Sequence, residues 1–554
     1  MNDCKQLKKC FWLCLSGFLT ASLLLGCQSL QTDVDPLYDN LGKYHYPVST
    51  SQRAAQRYFD QGLILAFGFN HGEAARSFRQ AYRIDPSCAL CYWGEALVLG
   101  PNINAPMDPA AVSLAYESAQ QALTLADTVT DKEKALIWAL SKRYAQQAPS
   151  DRAGLDKAYA EAMGEVAEVF ANDATMTALY AEALMDLHPW DFWSKQGKAR
   201  PWTAEIVSML ERALHLDANH PLANHLYIHA LEASPYPEKA IASAQRLPAL
   251  APGLGHLVHM PAHIYIRVGR YHDAILANQQ AVKADHGYLS HHPAESLYTL
   301  AYVPHNHHFL WAAAIRTGRK TMSEQAAAET AAQVNQDLLR EPGFAGTLQH
   351  FLLIPLYTKA LFGEWDAILN EPAPAADLIY PTAIWHYARA LALLRKGRRD
   401  QARSELERLE QSIADPAIVE LTIFDLNSVK RLLQIGASIL RGELAAENED
   451  FDRAVSHLRQ AVELEAELNY TEPKDWYLPP RQVLGAVLLQ AGKAQQAETV
   501  YRQDLHEHPQ NGWSLFGLMQ SLNAQGKTEQ ADQVRQQFDQ VWAEADVKLT
   551  ASRF

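Results

Sequence analysis

Cysteine is scarce in this chain: there are six in 554 residues, and Cys4, Cys10, Cys14 and Cys27 crowd the N-terminal end. That leaves Cys88 and Cys91 as the only thiols available to the rest of the protein. Basic charge is also short, with 49 Lys and Arg against 63 Asp and Glu and a formal net charge of −14. Residues 1–26 hold three Lys and one Asp, so the chain from Cys27 onward carries about −16. No basic stripe is present to neutralise phosphates, which argues against a nucleic-acid binder. Beyond residue 25 no run is apolar enough to span a bilayer. Several chemical fingerprints are missing as well. No glycine-rich dinucleotide loop and no nucleophile-elbow serine occurs. His506-Glu507-His508 lacks the spacing of a zinc-protease pair, and Gly526-Lys527-Thr528 lacks the earlier glycine of a phosphate loop.

The N-terminus carries a targeting pattern. Lys5, Lys8 and Lys9 precede an apolar run from Phe11 to Leu25 that is too short for a spanning helix. The run ends in Leu24-Leu25-Gly26-Cys27, which resembles the lipobox of bacterial lipoproteins. The resemblance implies a signal peptide over 1–26 and a Cys27 carrying palmitate-type acyl chains as the first mature residue. With Gln28 rather than Asp next, it also implies sorting to the outer membrane, facing the periplasm. An uncleaved anchor is the alternative. Residues 27–50, with Asp, Pro, Gly and Ser and no helical period, read as a flexible tether. An even pair of remaining cysteines in an exported chain fits a disulfide compartment. Cys88-Ala-Leu-Cys91 opens a helix just after Pro86, where the two Cα atoms can meet disulfide geometry. A thiol pair for metal is the alternative, and Tyr92 stands where a c-type haem site needs His.

From Ser51 to about Trp542 the apolar period is helical. Tyr58, Gly62, Leu65, Ala74, Phe78, Ala81 and Pro86 stand at the spacings of a helix-pair repeat. Gly485, Gly492, Ala497, Tyr501 and Pro509 repeat the signal. Met519, Gly526, Ala531 and Arg535 follow one repeat length later, about 34 residues on. Ala390, Leu393, Gly397 and Ala402 show the same turn-and-pack spacing, as do Gly363 with Ala367 and Glu449 through Ala454. Along nearly its whole mature length the chain resembles the tetratricopeptide-repeat proteins. The resemblance implies an all-α fold, a TPR-type helical-hairpin solenoid in a right-handed superhelix with a concave groove. Repeats over 51–345 would carry the groove, and 346–554 would form a C-terminal set. Three stretches break the period: Gly100–Pro106, His188–Ser194 and an insertion over 286–303. Long non-repeating loops on a regular scaffold tend to be functional.

Histidine is concentrated between Pro221 and Trp311. Eight of 22 histidines lie in Pro221–Glu232, Gly255–Arg267 and Pro304–Trp311. Pro221 and Gly255 are one such repeat length apart, which puts His225 in register with His259 and His229 with His263. A third frame from Pro304 matches His305 to His256 and His308 to His259. The central motifs are similar to those of a bacterial exported, lipoprotein-type repeat subfamily, to which no activity attaches. Residues one turn apart share one helix face, so each pair forms a row. In tetratricopeptide proteins such first-helix positions line the groove, and neighbouring axes sit about 8–10 Å apart. Imidazoles from adjacent repeats can therefore converge on one ion. The expected ligands are His225, His229, His256, His259, His263, His305 and His308, with Glu232, Glu182 and Asp186 ligating as well or orienting the imidazoles. Such a set suits Zn, Cu, Fe or Ni better than Mg or Ca. Pro261 should free the Leu257 carbonyl and kink its helix beside the row.

Two competing readings remain for these histidines. They can be groove residues satisfied by hydrogen bonds without metal. They can also grip a peptide or small ligand together with Tyr227, Tyr265, Trp190 and Trp193. The function expected from sequence is thus an envelope-anchored repeat protein whose groove binds a partner or ligand and whose histidines form a transition-metal site. The alternative is a metal-dependent oxidoreductase or hydrolase built on the same solenoid.

Overall fold

A computed structural model describes residues 35–147, 149–290 and 296–554. The lipobox, Cys27 and the first part of the expected tether lie outside the described residues. Residues 37–554 form a unit of their own, an all-α, TPR-type helical-hairpin solenoid. Among the described residues, 25 α-helical segments make twelve hairpins when Gly255–His259 and Pro261–Arg267 are taken as one broken helix. Arg53–Phe67 pairs with His71–Ile84 at one end, and Gly512–Ala524 with Thr528–Val541 at the other. Apart from these, a short antiparallel pair joins Thr422–Ile423 to Asn427–Ser428.

The pairing follows from small residues facing large rings. A Cβ on Gly62 or Gly94 would sit 2.8 or 2.4 Å from the Phe78 ring, so only glycine lets the helices on both sides close on that ring. Gly485 and Gly517 close on Tyr501 in the same way, at 2.3 and 2.2 Å. Each hairpin buries one apolar stripe in its partner and another in the next hairpin, so the stack is held by neighbour contacts. The helix Val303–Arg316 serves two apolar cores: Val303, Phe309, Ala313 and Ala314 face the N-terminal one, and Trp311, Ala312 and Ile315 the C-terminal one. Stacking runs on without a gap across residue 345, where the sequence suggests a boundary.

One sequence expectation needs correction here. The tether reading fails for residues 37–50, which are docked on the helices. Leu41 is buried, the Gly253 amide donates to the Asn40 carbonyl at 2.8 Å, and Tyr44 Oη lies 2.7 Å from Thr175 Oγ1 and 3.0 Å from His220 Nε2. The Ser49 amide donates to Glu133 Oε1 at 2.6 Å. Polar composition hid the anchoring supplied by a few aromatic and aliphatic side chains. The period-breaking stretches are likewise packed inward. Asn104 Nδ2 donates to Tyr302 Oη at 2.8 Å, and Trp193 Nε1 donates to the Ala230 carbonyl at 2.7 Å.

Contacts also join repeats far apart in sequence. Trp513 Nε1 donates to the Ile315 carbonyl at 2.7 Å, Asp546 Oδ2 accepts from the Thr321 amide at 2.9 Å, and Lys195 Nζ donates to the Glu467 carbonyl. The Arg267 guanidinium lies 5.4 Å from the Tyr470 ring. The segment after Ala466 is thereby laid against the central repeats.

Candidate metal centre

Helix Pro221–Glu232 is buried along its whole length, with proline at its first turn, where no amide is lost. Its His225 and His229 are one turn apart and point the same way. The next first helix is interrupted at Met260 because Pro261 offers no amide to Leu257. Met260 keeps right-handed helical angles (φ −49°, ψ −35°), so His256, His259 and His263 still form one row.

These histidines sort into two triads. His225, His229 and His256 form one, His259, His263 and His305 the other, and within each the ligating atoms lie within 4.8 Å of one another. In the first triad His225 Nε2 is 3.1 Å from both His229 Nε2 and His256 Nε2. In the second, His259 Nε2 is 2.9 Å from His263 Nε2, and the His305 ring centroid is 4.9 Å from that of His259.

The outer nitrogens set the tautomers. His225 Nδ1 donates to the Phe67 carbonyl at 2.7 Å, and His229 Nδ1 to Glu232 Oε1 at 2.8 Å. Neither acceptor has a proton to give, so both rings carry hydrogen on Nδ1 and present a bare Nε2. Those two lone pairs face each other across 3.1 Å. A proton on His256 Nε2 can satisfy one of them, and the remaining contact is acceptor against acceptor. In the second triad Asn278 Nδ2 donates to the Ala274 carbonyl at 2.7 Å, which turns Oδ1 towards His259 Nδ1 at 2.7 Å. His263 Nδ1 is ion-paired with Glu232 Oε2. Glu232 thus engages one member of each triad, by a hydrogen bond from His229 and an ion pair with His263.

Burial sets the charge. It pushes His225, His256, His259 and His305 well below the usual imidazole range, and neighbouring imidazoles push further. His229 is also lowered by burial, against the pull of Glu232. His263 is the exception: burial opposes its charge, but Glu232 and Glu472 outweigh it and raise it. Burial also works against the Glu232 carboxylate, yet His263 and His229 hold it at about 2. A proton on His263 Nε2 can then bridge to His259, an arrangement a metal would displace.

Around the triads the packing is aromatic. Phe69 lies with its ring centroid 4.5 Å from His225 and 5.6 Å from His256, Tyr302 is 4.7 Å from His256, and Trp190 is 5.3 Å from His229. Phe309 covers His263 at 4.4 Å. A brace lies behind His256: its amide donates to Tyr298 Oη at 3.2 Å, and Tyr298 donates to Asp285 Oδ1 at 2.7 Å. Asn306 Nδ2 donates to the other Asp285 oxygen at 2.7 Å. Of the six triad histidines only His305 is partly exposed.

Several expected members fall elsewhere. His308 lies in neither triad. Both its nitrogens are buried without hydrogen bonds, and its ring meets Trp311 at 5.3 Å and His350 at 5.6 Å. One turn on stands Ala312, so the paired-histidine row lapses there. Glu182 and Asp186 do not orient imidazoles. Arg143 Nη2 donates to Asp186 Oδ2 at 2.7 Å, and burial raises both carboxyls. Among the aromatics, Tyr227 donates to Glu211 at 3.0 Å and Tyr265 lies under the Arg270 guanidinium, both turned from the triads. Trp190 and Trp193 do reach the site region.

Sequence reading missed Phe67, Phe69, Asn278, Asp285, Tyr302 and Glu472. Glu472 Oε2 is 3.9 Å from His263 Nδ1, and burial pushes its carboxyl up to about 7. Glu232, His263 and Glu472 form a further group of closely spaced ligand atoms. Tyr302 lies in the insertion over 286–303, and Asp285 left a trace in the motifs, because a Cβ on Gly255 would sit 1.9 Å from its Oδ1. Cys88 and Cys91 form a disulfide with Cα atoms 5.4 Å apart, at the start of helix Ala89–Leu99.

No protein-family model and no curated protein matches the chain. Among solved structures it is similar to the human IFIT1 dimer with m7Gppp-AAAA, at 12% identity and a TM-score of 0.30 over 90% of this chain and 92% of that one. It is also similar to the APC/C hetero-tetramer Cut9-Hcn1, at 12% identity and 0.28 over 88% and 87%. The fold assignment rests on the order of the chain's own hairpins.

Proposed function

We propose that this is a lipid-anchored envelope protein of the bacterial exported repeat type, whose histidine triads bind a transition-metal ion in the middle of the solenoid. The observation that supports the metal is the contact between His225 Nε2 and His229 Nε2 at 3.1 Å, both protons being committed to outer acceptors. Two bare nitrogens held together in a buried site repel, and a cation between them turns that repulsion into two bonds. Nitrogens bound at 2.0–2.1 Å to a tetrahedral ion lie about 3.3 Å apart, close to the spacing already present. Imidazoles as the entire first set favour Zn, Cu, Fe or Ni. When bound, such an ion supplies Lewis acidity or electron transfer. The chain itself orients the rings through Phe67, Glu232 and Asn278 and excludes water with Phe69, Phe309 and Tyr302.

Elemental analysis of untagged protein should find a transition metal, and a chelator should lower the melting temperature because bound metal stabilises the folded state. The double substitution His229→Ala and His263→Ala should abolish the chelator effect with helical content near wild type. Metal-free protein whose melting curve ignores both chelator and added Zn, Cu, Fe or Ni would leave a hydrogen-bonded polar cluster as the reading.

The buried triads offer their nitrogens to something the size of an ion or a small molecule. A peptide or protein partner, if the repeats recruit one, is proposed to use other faces of the scaffold.

A further inference from the structure

We infer that the histidines hold two ions side by side, one per triad, as a paired centre for a small bridging oxygen-donor ligand. This rests on the metal-binding reading above and extends it to number, arrangement and ligand class.

The second triad is the first one displaced by a repeat. His225 and His229 become His259 and His263 one repeat length later, and His256, near the start of the next first helix, becomes His305 near the start of the one after. Each triad therefore draws two ligands one turn apart on one first helix and a third from the first helix that follows. Stacking repeats in register reproduces the geometry as well as the residues. The outer bonds are reproduced too: His225 and His259 each donate Nδ1–H to an uncharged oxygen, and His229 and His263 both use Glu232.

The two sets are adjacent yet separate. Ring centroids interleave, at 5.6 Å for His229 and His263 and 5.9 Å for His256 and His259 across the triads against 4.8 to 6.2 Å within them, so the grouping lies in the ligating atoms. Among the described residues, the histidine ligand atoms gather as two threes and not as one six, with Glu232 and Glu472 forming a further group on His263. Six ligand atoms that do not close on one point call for two ions, and three ligands leave each ion an open position.

Charge supplies the ligand class. Six imidazoles contribute no anion, Glu232 is engaged by the outer nitrogens of His229 and His263, and Glu472 lies on that same outer side, 3.9 Å from His263 Nδ1. Two cations this close in a buried site need a negative or strongly donating group between them. Burial of five of the six rings limits the ligand to something small, and partly exposed His305 marks the side of entry.

The test uses full-length untagged protein, stripped with chelator, reloaded with Cu(II) and freed of loose metal by gel filtration. Wild type should retain two copper ions per chain, with an electron paramagnetic resonance spectrum broadened or weakened by coupling. His256→Ala and His305→Ala, each breaking one triad, should retain one ion with the sharp spectrum of an isolated Cu(II). Azide, a small bridging anion, should perturb the wild-type spectrum and leave the variants' spectra much less changed. One ion per wild-type chain at saturation overturns the paired centre and leaves the metal-binding proposal standing. No ion at all overturns both. Two ions with an uncoupled, isolated-ion spectrum also overturn the pairing. The wild-type count and spectrum need no variant, so poor folding of a variant cannot rescue the proposal.

Discussion

Phe69 holds φ at +56° in the turn between its two helices, where Gly269 and Gly318 hold +77° and +69° in the equivalent turns. A left-handed conformation costs a side-chain-bearing residue about 1–2 kcal/mol. Here the ring is packed over His225 and His256, which is where that cost is offset. Phe69→Gly should recover the backbone term and lose the buried ring, worth about 3–5 kcal/mol in a core. The expected outcome is a lower denaturation midpoint together with weaker metal retention. A more stable variant with unchanged retention would show that the ring does not shape the site. Glu443 illustrates a second residue-scale effect. It accepts from Arg395 Nη2 and lies against Arg553 Nε, both at 2.9 Å. Burial would raise its carboxyl, but the two guanidiniums hold it below the ordinary glutamate range. A depressed folded value means that the stabilisation is complete above the unfolded value, about 4.3, and is lost as pH falls through the folded one. Glu443→Gln should cost about 3–5 kcal/mol at neutral pH by stranding two buried cations. It should also flatten the acid limb of a stability-against-pH curve.

At the scale of elements, the Cys88–Cys91 bridge closes a very short loop at a helix start. Chain-entropy arithmetic gives such a loop roughly 2 kcal/mol, well below what a long loop yields. Thiol counting on unfolded, unreduced protein should find none free, and Cys88→Ser should lower the melting temperature only modestly. Two free thiols would remove the bridge. Helices of this kind were legible because their pairing is local. Gly62 and Phe78, like Gly485 and Tyr501, stand on the two helices of one hairpin and declare the close approach by residue type. The histidine rows were legible for the same reason, since a register of one repeat length survives in the sequence. What stayed hidden came from distance or from single atoms. Glu472 enters from a segment several repeats beyond His263, and the Phe67 carbonyl is a backbone group that no side chain announces. His308 shares the register but not the site, because the row needs a second histidine where Ala312 stands. Residues 37–50 read as a polar tether because docking by Leu41 and Tyr44 has no period to betray it.

For the molecule as a whole, membrane attachment is the property to test outside the solenoid. Two or three acyl chains anchor stably where one is marginal, so Cys27→Ser should move the protein from the membrane fraction to the soluble periplasmic fraction or block processing of residues 1–26. Normal processing with unchanged membrane partition would remove the lipobox reading. Within residues 37–554, the ties between distant repeats carry a different consequence. A stack held only by neighbours can open one hairpin at a time from either end, at little cost per step. Here Trp513 is bonded to Ile315, Asp546 to Thr321, and the segment around Tyr470 and Glu472 lies over Arg267 and His263. Loosening the last hairpins therefore has to break contacts to the middle ones as well. Amide hydrogens of the central helices should exchange together with those near the C-terminus rather than after them. The histidines are then uncovered only in an opening that the middle and the C-terminal end share, so an ion bound there escapes no faster than the two breathe together.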